Sequence, residues 1–292
     1  MLIVVGYLIV LGAVFGSYAA MGGHWGALFQ PFELLLIGGA AVGSFVAANN
    51  PKAIHLSIKS LRHVLRKSPY NQAVYMQLMG LLYVLLNRAR RDGWMAIEAH
   101  VEDPDNSELF SAYPLVKRDE RLMEFLLDYL RIMISGNMSA YEIETLMDEE
   151  LETYRHECDL PAHALRNVSD ALPAFGIVAA VLGVIKALAA IDQPPSVLGD
   201  LISKAMVGTF LGILMAYGFV SPLASAMDRR NEEAIKALEC VKITLLASLN
   251  GYPAQLAIEF GRKVLFSDIR PSFSELEDHV RQTKSMATTP TE

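Results

Sequence analysis

Four long apolar runs constrain this sequence more than any other feature. They cover residues 2–20, 31–48, 171–190 and 201–227. Each is close to or longer than the ~20 residues with which an α-helix crosses the hydrocarbon core of a bilayer. The runs also account for a hydrophobic content of 52%, which argues against an ordinary soluble domain. We therefore predict an all-α membrane protein with four transmembrane helices in two hairpins.

The distribution of Lys and Arg predicts the orientation in the membrane. The linkers 21–30 and 191–200 contain neither residue, and of the 25 Lys and Arg only Lys186 and Lys204 fall inside apolar runs. Under the positive-inside rule both termini are then cytoplasmic. The predicted order is a membrane hairpin (1–48), a cytoplasmic domain (49–170), a second hairpin (171–227) and a cytoplasmic tail (228–292).

The predicted cytoplasmic parts have helical periodicity. Apolar residues recur at helical spacing over 71–91 and 120–134, and Ser139 with Glu142 forms a capping box that opens a further helix through 157. Helices are also expected over 231–249 and 274–283. Since no strand pattern appears, the cytoplasmic domain is predicted to be mostly helical. It could be a compact bundle or an extension of the membrane helices.

Catalytic and nucleic-acid-binding signatures are missing from the sequence. It has no phosphate-binding GxxxxGK[ST] loop, no HExxH and no GxSxG, which predicts that it is not an enzyme. A net charge of −7 is unlike the basic surface of a nucleic-acid binder. His156, Cys158 and His163 lack the paired spacing of zinc ligands, so we expect neither a metal nor a cofactor.

The membrane runs are poor in groups that could carry an ion. Glu33 lies near the start of the second run, and Asp170 lies just before the third. The four runs contain no other Asp or Glu, and no His. Thr209 offers a hydroxyl, while Pro173 and Pro222 would leave backbone carbonyls without helical partners. An ion path through this protein would therefore need a carboxylate from another chain.

Small residues at helix-packing spacing occur in three of the runs. The pairs are Gly12 and Gly16, Gly39 and Gly43, and Gly208 and Gly212. In lipid such pairs allow two helix backbones to approach closely. They predict a packed assembly, either within one chain or between copies.

The most characteristic segments lie in the second hairpin. They are LPAFGIVAAV at 172–181, MVGTFLGI at 206–213 and YGFVSPLA at 217–224, accompanied by FLLDYLR at 125–131 and RPSF at 270–273. Together they resemble the MotA family of flagellar motor stator subunits, within the MotA/TolQ/ExbB proton channels. The resemblance extends over almost the whole chain.

This resemblance implies a function and a set of partners. It implies five copies in the bacterial inner membrane around two copies of MotB, whose helix supplies the ion-binding aspartate. It also implies that ion flow drives torque on the rotor protein FliG.

The resemblance also implies roles for individual residues. Pro173 and Pro222 flank the ion site, and Thr209 lies on the ion path. Arg90 and Glu98 match the charges that face the rotor. Without the resemblance, they would be interpreted as ordinary charged residues on a solvent-exposed face. Sodium-driven relatives tend to have Thr at the position of Ala180, so the coupling ion is expected to be the proton rather than sodium.

Three other functions remain compatible with the sequence. An energiser of the ExbB or TolQ type shares the ion-driven design but usually has three membrane helices, so the extra N-terminal hairpin favours the stator. A self-sufficient channel or carrier would conduct ions without a partner. A membrane scaffold would conduct none.

Overall fold

The computed structural model describes residues 2–64 and 68–287, and these residues are mostly helical with no strand among them. In chain order the α-helices are α1 (Leu2–Ala20), α2 (Trp25–Leu28), α3 (Pro31–Ala48), α4 (Pro51–Val64), α5 (Gln72–Asp92), α6 (Glu98–Glu102), α7 (Glu108–Ser111), α8 (Pro114–Lys117), α9 (Glu120–Ser135), α10 (Ala140–Leu188), α11 (Pro195–Ile213), α12 (Ser221–Leu249), α13 (Ala254–Val264) and α14 (Phe273–Ala287). A 3₁₀ turn covers Trp94–Ile97, and a π-helical segment covers Leu214–Val220.

Four helices are long and apolar enough to cross a membrane. They are Leu2–Ala20, Trp25–Ala48, Ala140–Leu188 and Pro195–Leu249. They contain the four apolar runs except for residues 189 and 190, and α1 and α3 begin and end where the sequence predicts. The prediction of an all-α protein with four membrane-spanning helices is confirmed.

The third membrane helix is longer than its apolar run. The predicted helix from 139 to 157 and the run 171–190 form one helix, α10, of 49 residues with Pro161 and Pro173 inside it. A proline removes one hydrogen bond, but the helical residues on both sides can continue the helix. The predicted capping box does begin α10, since the backbone N–H of Ser139 donates to Glu142 Oε2 at 2.7 Å.

The described chain divides into two compact units. One comprises residues 1–67 and 157–230, which we call the membrane unit. Its core is small, centred on Ile37, Leu172 and Leu211. Large apolar side chains such as Phe32 and Leu35 are 82% and 71% exposed. Such an exterior is expected of helices that face lipid rather than water.

The other unit comprises residues 68–156 and 231–292, which we call the polar unit. Its core is larger and is built around α5, where Tyr75, Leu78 and Leu82 are fully buried. Leu238 and Val241 from the chain's last quarter belong to the same core. The residues after 230 therefore fold with residues 68–156 as one compact bundle, an outcome that the sequence left open. The membrane-based boundaries at 48, 170 and 227 stay a prediction.

Candidate functional site

Glycines set the contact between α10 and α11 in the membrane unit. Glycine has no side chain, so the closeness of the contact is measured by placing a methyl group (Cβ) on each glycine. A methyl group at Gly212 would lie 2.7 Å from the carbonyl oxygen of Leu172. One at Gly176 would lie 2.9 Å from the carbonyl oxygen of Gly208. These distances are shorter than any side chain tolerates, so the two backbones approach each other directly. The predicted packing role of Gly208 and Gly212 is confirmed.

The other two glycine pairs do not pack within the chain. A methyl group at Gly12, Gly16, Gly39 or Gly43 would meet no heavy atom within 4 Å among the described residues. By contrast, a methyl group at Gly183, which belongs to no such pair, would lie 2.5 Å from Cβ of Ala205. A spacing of four thus indicates small residues on one helix face, whereas the partner helix decides which of them form a contact.

Thr209 and Ala180 both lie at this α10–α11 interface. A methyl group added at Gly176 would lie 3.3 Å from the Cα of Thr209. A methyl group added at Gly208 would lie 3.4 Å from the backbone nitrogen of Ala180. Both residues are half-buried. The structure therefore brings together two of the four residues predicted to line an ion path, and their role in ion transfer stays a prediction.

Pro222 lies two residues after the end of the π-helical segment, as the second residue of α12. Proline has no N–H, so the carbonyl of Gly218 loses its usual helical partner. The helical ladder widens before this point, where the backbone N–H of Ser221 donates to the carbonyl of Ala216 instead of Tyr217. Single π turns inside α-helices are often found at functional sites. Pro173, in contrast, lies within the continuous helix α10, and both prolines are half-buried.

Two hydroxyl groups bond to carbonyls of the π-helical segment. Ser169 Oγ, which is buried, donates to the carbonyl of Ala216 at 3.1 Å. The hydroxyl of Tyr7 donates to the carbonyl of Phe219 at 2.7 Å. Hydroxyls serve this purpose where water is excluded. Ser169 and Tyr7 were not predicted from the sequence, where only their polarity within apolar surroundings marks them.

Four charged side chains at the ends of the second hairpin form two ion pairs. Lys204 bonds Asp200 four residues before it, at 2.7 Å. At the opposite end Arg166 forms a two-point ion pair with Asp228, at 2.8 and 2.9 Å. The runs 171–190 and 201–227 contain no carboxylate. Nowhere in the described chain do three His, Cys, Asp or Glu converge in the way that a metal site requires.

Arg90 and Glu98 lie on the polar unit, on either side of a turn at Gly93. Arg90 is in the last turn of α5 and Glu98 is the first residue of α6, and both side chains are exposed. Gly93 has a φ of +88°, which favours glycine. Arg90 donates from Nη1 to the carbonyl of Gly251 at 3.1 Å. The structure therefore places both predicted residues at one helix–turn–helix corner.

Further charged groups adjoin this corner. Arg88 bonds His100 at 3.0 Å, and burial, followed by the Arg88 charge, lowers the pKa of His100. Arg131 of α9 bonds Glu102 of α6 at 3.1 Å. The pair Arg131–Glu102 could not be found from the sequence, because 29 residues separate the partners and only the packing of α6 on α9 brings them together.

Taken together, the apolar exterior, the four long helices and the glycine-packed pair define a multi-pass α-helical membrane protein. Residues 4–93 match the family described as motility protein A N-terminal. Residues 117–240 match the MotA/TolQ/ExbB proton channel family.

Curated relatives match over nearly the whole chain. The motility protein A of Salmonella typhimurium is 53% identical over 98% of this chain and 97% of its own length. The chemotaxis protein LafT of Vibrio parahaemolyticus is 40% identical over 93% and 95%. The chain therefore belongs to the motility protein A family. This family is one of proton-channel subunits in the inner membrane and is not a class of enzyme.

Two solved stator structures share the fold. The MotAB structure of C. jejuni superposes with a TM-score of 0.77 at 20% identity, covering 93% of this chain and 98% of that one. The MotAB stator complex of Bacillus subtilis gives 0.70 at 24% identity, covering 94% and 98%. The predictions of family, fold class and flagellar stator function are confirmed. The N-terminal match over 4–93 includes the first two membrane-spanning helices.

Proposed function

We propose that five copies of this chain surround two copies of MotB in the inner membrane, conduct protons and exert torque on FliG. The observation that carries the proposal is the chemistry of the α10–α11 interface. It holds a hydroxyl at Thr209 among closely packed backbones, yet both runs of the hairpin lack a carboxylate. MotB would supply the missing aspartate, and the solved relatives with the same fold contain MotA together with MotB.

In this proposal the residues of the second hairpin divide the work with the partner. Thr209, Ala180, Pro173 and Pro222 line the path beside the MotB aspartate. Protonation neutralises the aspartate, whose charge is costly in hydrocarbon, and so changes which surface of the ring it prefers. One charge that moves through 100 mV releases about 2.3 kcal/mol, enough to bias a step between two ring positions.

Protons are the proposed coupling ion, and no cofactor takes part. Dehydrated sodium needs several oxygen ligands, and Ala180 offers no side-chain oxygen at the interface where Thr209 offers one. We expect swimming speed to be unchanged when sodium is replaced by potassium and to collapse when a protonophore is added. The opposite pattern would reject proton coupling while leaving the stator assignment intact.

Both termini and the polar unit are proposed to be cytoplasmic, as the positive-inside rule predicts. In that orientation Arg90 and Glu98 are available to a cytoplasmic rotor. Their exposure and their location at one corner support this role. Arg90 also bonds Gly251, so a change at Arg90 has to be separated from a local structural effect.

Charge reversal tests the rotor contact. Arg90→Glu and Glu98→Lys should each reduce swimming of a complemented stator-null strain, because each inverts a charge presented to FliG. Membrane insertion and partner binding should be retained. Lys263→Glu is a matched control, since Lys263 is also exposed at a helix end of the polar unit. Normal swimming with both Arg90→Glu and Glu98→Lys would contradict the assignment of this corner.

A further inference from the structure

Helix α4 in the membrane unit has one basic side and no acidic residue. Its Lys, Arg and His residues are Lys52, His55, Lys59, Arg62 and His63. At 100° per residue these positions fall within one side of the helix. Lys52, His55 and Lys59 are exposed there, and Lys52 is already paired with Glu157 at 2.7 Å. Lys59 and His55 therefore form the exposed basic surface of α4.

The other sides of α4 are apolar. Val64 packs in a small core with Ala162 and Met227. Next to this packed side, Ile58 and Leu61 remain 55% and 37% exposed. A helix with a packed side, an exposed apolar side and a basic side is suited to the boundary between hydrocarbon and head groups.

A groove of about 330 Å³ begins at Ile58 and Leu61. It continues between α3, α10, the π-helical segment and the first turn of α12, along side chains such as Phe45, Val168 and Leu223. The one hydroxyl in its wall, that of Ser57, already donates to the carbonyl of Ala53 at 2.8 Å. The groove therefore offers an apolar occupant a continuous surface and offers a polar one no unused donor on its wall.

We propose that this groove binds an acyl chain of an anionic phospholipid, whose phosphate is held by Lys59 and His55. Two observations select this occupant. The groove is apolar along its length, which suits a hydrocarbon chain. At its mouth stands a helix with basic groups and no acid, which suits a phosphate at the membrane surface. This binding requires only that the membrane unit lies in a bilayer, and it is therefore separable from the stator function.

Lipid binding to the purified full-length complex in detergent tests the groove. Native mass spectrometry would count added phosphatidylglycerol or phosphatidylcholine with identical acyl chains. Gly38 lines the groove and has space for a side chain, whereas its neighbour Gly39 has equal space and does not line it. Gly38→Leu should therefore lower binding of both lipids severalfold, and Gly39→Leu should leave binding unchanged.

The head-group contact has its own variants. Lys59→Gln should weaken phosphatidylglycerol binding about fivefold, the ratio that corresponds to about 1 kcal/mol per basic residue at an anionic surface. It should weaken phosphatidylcholine binding less, because that lipid carries the same phosphate but no net charge. Lys59→Arg should bind as the unmodified chain does, and Lys263→Gln, which removes a charge elsewhere, should have no effect.

Equal lipid binding by Gly38→Leu and Gly39→Leu would overturn the proposal. If Gly38→Leu instead changed the oligomeric mass and left lipid binding intact, the occupant of the groove would be a second copy of this chain. Unchanged binding of both lipids by Lys59→Gln would remove the assignment of the phosphate to Lys59 and His55, and equal loss of both lipids would remove the preference for an anionic head group.

Discussion

At the scale of single residues, the absence of a side chain is as informative as its presence. Gly176 and Gly212 allow a helix contact that no other residue permits, since added methyl groups would reach a facing backbone oxygen. The sequence predicts Gly212 from its spacing to Gly208. It does not single out Gly176, because a lone glycine in a membrane helix is common. The facing helix supplies the missing information.

Gly212→Ala should therefore disrupt the hairpin. The new methyl group would lie 2.7 Å from the carbonyl of Leu172, and overpacking of this kind costs about 1–3 kcal/mol. We expect a lower midpoint in thermal denaturation of the detergent-solubilised protein and a loss of swimming. Gly12→Ala is the matched control because its methyl group meets no neighbour within the chain. Equal midpoints for the two variants would show that α10 and α11 can separate without penalty.

At the scale of helices, the π-helical segment depends on bonds from other helices. Pro222 is the cause that can be read from the sequence, because its missing N–H is a covalent property. The donors Ser169 and Tyr7 lie 47 and 212 residues from the carbonyls they bond. Only the packed arrangement of α1, α10 and the segment identifies them.

Removal of the buried donor should weaken this arrangement. Ser169→Ala deletes the bond to the Ala216 carbonyl and should lower stability by about 0.5–1.5 kcal/mol, measured as a reduced thermal midpoint. Ser225→Ala removes an exposed hydroxyl that bonds only within its own helix, to the Ser221 carbonyl, and should have a smaller effect. A larger effect of Ser225→Ala would mean that Ser169 does not support the segment.

The attachment of α14 to α5 should depend on pH. His279 of α14 lies against Gly80 of α5, with Nε2 2.8 Å from the methyl position of that glycine. Burial lowers the pKa of His279 below its usual value. The unfolded state therefore binds the proton more readily than the folded state does. The stability that neutral His279 contributes above pH ~6.5 is lost as the pH falls through the lowered pKa of the folded state.

Hydrogen exchange of α14 measures this dependence. Exchange should accelerate between pH 7.5 and 5.5, after correction for the intrinsic rate, and His279→Gln should remove most of the difference. His156→Gln is the control, since His156 is exposed on α10. An identical pH response in the unmodified chain and in His279→Gln would assign the effect to other groups.

At the scale of the whole molecule, the chain is incomplete as an ion conductor. The two runs of its second hairpin carry no Asp or Glu, and two pairs of charged groups at their ends, Arg166 with Asp228 and Lys204 with Asp200, are engaged with each other. We therefore predict that the chain reconstituted alone in liposomes shows no proton uptake above empty liposomes under an imposed potential. Addition of MotB at reconstitution should produce uptake. Uptake by the chain alone would favour a self-sufficient channel.

The sequence by itself determined the elements of this protein. A run of about 20 apolar residues can only be accommodated in a bilayer as a helix, so the count of four and the bounds of α1 and α3 follow from local properties. The capping box at Ser139 depends on residues within one turn, and the helix over 120–134 depends on apolar periodicity within one short segment, so both are local as well. Recognisable segments such as those at 172–181 and 206–213 identified the family.

The tertiary structure alone decided how these elements combine. It merged 140–157 with the third membrane helix, placed Leu238 and Tyr75 in one core, and selected Gly208 and Gly212 rather than Gly12 and Gly16 for packing within the chain. Each of these outcomes depends on which surfaces meet across long sequence separations. Helical periodicity shows which side of a helix is apolar or small, but it does not contain the identity of the facing helix.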